Sequence, residues 1–141
     1  MTKFILMLTH NDVTVSNALD VLEQVKNTGV KFVGWKDIGL SNREFEQLSE
    51  RAKKYGMTIF LEIVTPNREE HFRGLELGLR LGVDYIIGGM PKFSVESLSY
   101  LRERSPDVRF FPYVGQVVGL PCNLEGNIQT MVDESAKMKE L

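Results

Sequence analysis

The sequence predicts an α/β fold in which five parallel strands alternate with helices, and three observations carry that prediction. The segments "TGVKFVGWKD", "YGMTIFLEIV" and "LGVDYIIGGM" each place a glycine before an apolar run, with Gly29, Gly56 and Gly82 about 26 residues apart. Each glycine closes an amphipathic stretch, where a helix needs a left-handed residue to stop. The apolar runs are short and nearly continuous, as in strands buried on both faces of a parallel sheet.

The units follow in order. "KFILMLTH" opens the series as a strand, too short for a membrane span or a signal-peptide core. Leu19, Leu22 and Val25 give the first helix its apolar stripe, and "KFVGWKD" follows as the second strand. Ser41 with Glu44 has capping-box spacing ahead of Phe45, Leu48 and Ala52, and Asn67 with Glu70 repeats that spacing ahead of Phe72, Leu75 and Leu79. Ser94 reads as an N-cap before Val95, Leu98 and Leu101. "SPDVRFFPYV" is the fifth strand, with Pro106 and Asp107 in place of the glycine, and "EGNIQTMVDESAKMKEL" is the last helix. Residues 1–141 thus form a single α/β domain of five βα units.

Two architectures satisfy this order. One is a five-stranded doubly wound, flavodoxin-like sheet. The other is a partial TIM (β/α)8 barrel, whose complete form runs to about 250 residues. The last helix runs to Leu141 where earlier helices supply a glycine and a strand, so the preferred reading is the N-terminal part of a barrel.

Composition narrows the function classes. Apolar residues make up 43% and charged residues 26%, enough for a core and a solvated surface, and the net charge of −2 comes from mixed acids and bases with no basic stripe to attract nucleic acid. No membrane segment is expected. The single Cys122 has no partner for a disulfide or a CxxC motif, which suits a reducing, cytoplasmic setting. No GxGxxG follows a strand, so no nicotinamide site is expected, and no other cofactor.

In both architectures ligands bind at the carboxyl ends of parallel strands. The residues there are His10, Asn11 and Asp12; Lys36 and Asp37; Glu62 and Thr65; Gly88 and Gly89; and Tyr113, Gly115 and Gln116. Strand alternation puts Lys36 on the side of Phe32 and Gly34, and Glu62 on the side of Phe60, so the two can meet at one mouth. A lysine there binds an anionic group or, with its pKa lowered by desolvation, acts as a Schiff-base nucleophile. Glu62 or Asp37 is the candidate base for a proton next to a carbonyl. The competing reading is a structural ion pair at the sheet rim. His10 has the chemistry of acid, base or metal ligand, yet Asn11 and Asp12 beside it are also ordinary turn residues. A metal held by His10, Asp12, Asp37 and Glu62 lacks diagnostic spacing, and no metal is expected. His71, within "NREEHFRG", reads as a solvated surface residue, Cys122 as no nucleophile, and Trp35 and Tyr85 as fillers between strands and helices. Gly88 and Gly89 let a ligand approach the backbone, and "YVGQVVGLPCN" is either a lid or a packed connection.

The strand ends "GWKDIG", "LGVDYIIGGM" and "FFPYVGQVVGLP" resemble those of the phosphate-binding (β/α)8 barrels, nearest the sugar-phosphate isomerases of the histidine-biosynthesis kind and related barrel proteins. The resemblance implies an enzyme of small phosphorylated or carboxylated carbonyl compounds, working by enolisation or aldol chemistry as an isomerase, epimerase or aldolase. Lys36, Glu62, Asp37 and His10 are its expected catalytic residues, and Asn11, Asp12, Thr65, Gly88, Gly89, Tyr113 and Gln116 its expected substrate contacts. Two rivals remain: a non-catalytic ligand-binding or regulatory domain, and an inactive barrel fragment that dimerises through its exposed sheet edges.

Overall fold

The computed structural model of the chain describes residues 3–119 and 122–140. Leu120 and Pro121 of the long loop, and Leu141 at which the last helix was read to stop, lie outside the described residues. Strand β1 (Leu6–Met7) is followed by a small antiparallel hairpin, β2 (Thr9–His10) with β3 (Val13–Thr14), and by helix α1 (Ala18–Val25). Four more units follow: β4 (Phe32–Lys36) with α2 (Asn42–Lys54), β5 (Thr58–Ile63) with α3 (Arg68–Leu81), β6 (Tyr85–Gly88) with α4 (Ser94–Arg104), and β7 (Arg109–Phe111). A second hairpin, β8 (Gln116–Val118) with β9 (Asn123–Glu125), precedes α5 (Ile128–Glu140).

Local sequence explains most boundaries. The Ser41 side chain accepts from the Glu44 N–H while the Glu44 carboxylate accepts from the Ser41 backbone, a complete capping box. Asn67 caps α3 by accepting from the Glu69 and Glu70 N–H groups, without the reciprocal bond from Glu70 expected of a full box. Gly82 ends α3 in the left-handed region at φ 58°, and Gly56 follows α2 at φ 65°. Ser94 is not a cap. It is the first residue of α4, because a 3₁₀ turn over Pro91–Phe93 starts the helix earlier, with proline at its head.

The main sheet is wholly parallel in the order β1-β4-β5-β6-β7, which is the order of the chain. A doubly wound sheet reverses its strand order and carries helices on both faces. Neither occurs here, so the flavodoxin-like alternative does not describe this topology. With right-handed crossovers between neighbouring strands, successive helices land on one side. Val33, Trp35, Ile59, Leu61, Ile63 and Ile86 face that side and form one core with Leu22, Leu48, Leu75 and Leu101 of α1–α4. Helix α3 approaches closely because Gly74 and Gly78 sit against Ile63 and Ile86, where a Cβ would collide.

The opposite face of the sheet carries the other strand positions, and none of α1–α4 packs on it. An aromatic row crosses it, from Phe32 to Phe60, to Tyr85 stacked 4.4 Å away, to Phe111. Phe111 is 55% exposed. Trp35 fills the core as expected, whereas Tyr85 lies half-buried in this row. Helix α5 buries no residue, so the fifth unit is completed in chain order but not in packing.

Candidate functional site

Parallel register places Lys36 beside Glu62, both on the face opposite the helices at the carboxyl ends of β4 and β5. The Lys36 ammonium pairs with the Asp12 carboxylate and lies 3.3 Å from Glu62 Oε2. Asp12 reaches it from the β2–β3 turn, where Asn11 and Asp12 both take the left-handed conformation, at φ 49° and 60°. That conformation is tolerated by Asn and Asp above other non-glycine residues. The turn is tied to β4 by Thr14, whose hydroxyl donates to the Lys36 carbonyl and accepts from the Lys36 N–H.

Two residues after β7 complete the cluster. The Tyr113 hydroxyl donates to Glu62 Oε1, and the Cys122 N–H donates to Asp12 Oδ2 at 2.6 Å. Gly88, at φ 79°, has the Tyr113 ring against it where a Cβ would stand, so this glycine admits the tyrosine to the cluster.

The charges set one another. Burial pushes the Lys36 ammonium toward neutrality, but the hydrogen bond to Asp12 and the negative charge of Glu62 outweigh it and hold its pKa above the usual lysine value. The hydrogen bond from Lys36 in turn lowers Asp12. Burial, and then donation to Glu62, raise Tyr113 well above an ordinary phenol. Burial and the neighbouring Asp12 raise the pKa of the Cys122 thiol above its usual value. Lys36 is therefore a cation fixed between two carboxylates, and Tyr113 a neutral donor.

Other expected residues lie elsewhere. Asp37 turns to the helix side, where its Oδ1 accepts from the Val64 N–H at 3.2 Å in a groove with Arg73 and Arg80. Burial raises its pKa to about 6. His10 and Asn11 are exposed on the first hairpin and Gln116 on the second. The Thr65 hydroxyl is buried without a partner. Gly89 is buried against His71, whose ring would meet a Cβ there. Among the described residues no group of three or more His, Cys, Asp or Glu side chains is placed to hold a metal ion.

Two residues depart from expectation. His71 is fully buried, not solvated, with Nε2 2.7 Å from the Ser97 hydroxyl and burial lowering its pKa to about 4. The signal was present: His71, Gly74, Leu75 and Gly78 recur at helical spacing on the face of α3 that meets the sheet. Cys122 enters the site because the β8–β9 hairpin folds back over the strand ends, a long-range contact with no local signature. In comparisons with known proteins, the chain matches no protein-family profile and no curated protein.

Proposed function

We propose that Lys36 and Glu62 form the proton-transfer centre of a barrel-type enzyme acting on a small phosphorylated or carboxylated carbonyl compound. The observation that carries this reading is the fixed Lys36 ammonium beside the Glu62 carboxylate at the strand ends, with Tyr113 bonded to that same carboxylate. Glu62 would remove the proton next to the carbonyl, the C–H electrons would form the enolate C=C bond, and the carbonyl π electrons would move to oxygen. The Lys36 ammonium would bind that oxygen as its charge develops. Return of the proton to the neighbouring carbon gives isomerisation, and return to the opposite face gives epimerisation. A Schiff base needs a neutral amine, and the raised pKa of Lys36 opposes one. That favours enolisation over imine-based aldol chemistry.

The partial-barrel fold belongs to the same proposal. It is supported by the strand order, by helices on a single face, and by charged side chains gathered at the carboxyl ends. The uncovered aromatic face supports a second reading, in which the sheet needs further units or a partner before the site works.

Proton exchange tests the chemistry. In D₂O, small phosphorylated and carboxylated ketones and aldehydes should lose their α-proton NMR signals in the presence of the protein, and Glu62→Gln should slow this by on the order of 10²-fold or more. Absence of exchange across the panel, or equal rates in the variant, would remove the reading.

A further inference from the structure

A cavity of about 790 Å³ opens between the start of α4, the segment after β7 and the outer turns of α5. Its size suits a small organic ligand, which typically occupies about 300–1,000 Å³. Pro91, Val95, Val114 and Met138 give it mainly apolar walls. One wall residue is Tyr113, whose hydroxyl donates to Glu62, so a single side chain separates the cavity from the charged cluster.

The charged groups around it are two lysines and two glutamates. Lys92 and Lys137 line the cavity, and among the described residues neither is in an ion pair. Of the two acids lining it, Glu134 is already engaged by the Gly115 N–H at 2.5 Å, which leaves the exposed Glu140. Two lysines without an ion pair thus share the wall with one glutamate turned to a backbone N–H and one that is exposed. Ser94 adds a buried polar group to the wall: the residue is 3% exposed and its hydroxyl has no hydrogen-bond partner. A buried hydroxyl without a partner is unfavourable unless a ligand uses it.

We infer that this cavity binds an amphiphilic monocarboxylate, with an aliphatic or aryl body against the apolar walls and its carboxylate at Lys92 and Lys137. The predominance of apolar lining argues against a dianionic phosphate, which requires several converging donors. This deepens the proton-transfer proposal by naming the non-reacting part of the substrate. It rests on that proposal only for the reacting end.

Titration with 4-phenylbutyrate, followed by calorimetry and by amide NMR shifts, tests the binding directly. Saturable binding to the wild type is expected, with shifts centred on Val95, Val114 and Met138. The uncharged 4-phenylbutanamide should bind at least about tenfold more weakly, as should the acid to a Lys92→Glu/Lys137→Glu double variant. Val95 is 59% exposed, so Val95→Trp should fill the mouth and block binding while leaving the fold intact. No saturable binding, equal affinity for acid and amide, or indifference to these variants would overturn the inference. Glu62→Gln separates the two proposals, because it should slow exchange by on the order of 10²-fold or more and leave binding unchanged. Binding without exchange would strike the catalytic reading alone, and exchange without binding would strike this one alone.

Discussion

Lys36 and Asp37 are adjacent in the chain and end in opposite environments. Strand alternation sends Lys36 to the face opposite the helices among carboxylates and sends Asp37 to the helix side, where burial raises its pKa to about 6. The sign follows from linkage. The folded state holds the Asp37 proton more tightly than an unfolded chain with a pKa of about 3.9, so this group's contribution to stability is full below about 3.9 and is lost as pH rises through about 6. A shift of about 2 units corresponds to roughly 3 kcal/mol lost by neutral pH. Asp37→Asn keeps an acceptor for the Val64 N–H and carries no charge. In denaturant unfolding it should be more stable than the wild type at pH 8 by up to that amount and no more stable at pH 3.5; a gain independent of pH would exclude titration as the cause. At this scale the sequence was legible where period-two geometry decides, as for Lys36 and Glu62. It was illegible where a distant segment supplies the neighbour, as for Cys122 on Asp12.

At the scale of elements, start and stop signals were the most readable features. Ser41, Asn67, Gly56 and Gly82 act through bonds and dihedrals within a few residues, so a local pattern is enough to find them. Ser94 was misassigned because a proline-led 3₁₀ turn moved the helix start upstream. Ser41→Ala removes a side-chain acceptor from the α2 capping box and should cost about 1 kcal/mol, read from denaturant unfolding. A loss below about 0.3 kcal/mol would mean that α2 is held by packing of Phe45, Leu48 and Ala52 alone. Helix α5 shows the converse. Ile128 and Val132 supply an apolar pattern, yet they are 79% and 55% exposed, because periodicity specifies a face and not what covers it.

At the scale of the whole molecule, the sheet has one side under helices and one side bearing Phe32, Phe60, Tyr85 and Phe111. Phe60 is buried within the row and Phe111 at its end is 55% exposed, and apolar surface left open in this way favours association. The sedimentation coefficient should therefore rise with protein concentration. Phe111→Lys, at the most exposed ring of the row, should suppress that rise and change stability by no more than about 0.5 kcal/mol. A concentration-independent value for the wild type would show that the aromatic row does not self-associate. The α/β class and the count of parallel strands were legible in the repeating glycines. Strand order was not, since the same alternation is compatible with helices on one face or on both.

That strand order has a consequence for how the protein is made. Each strand of the main sheet pairs first with the strand translated just before it, so no early segment has to wait for a late one to find its neighbour. A chain leaving the ribosome can add one strand and one helix at a time to a template that is already folded. Elongation pauses placed after α2 or α3 would then hold back a smaller version of the same two-layer structure, and not a chain lacking its central strand.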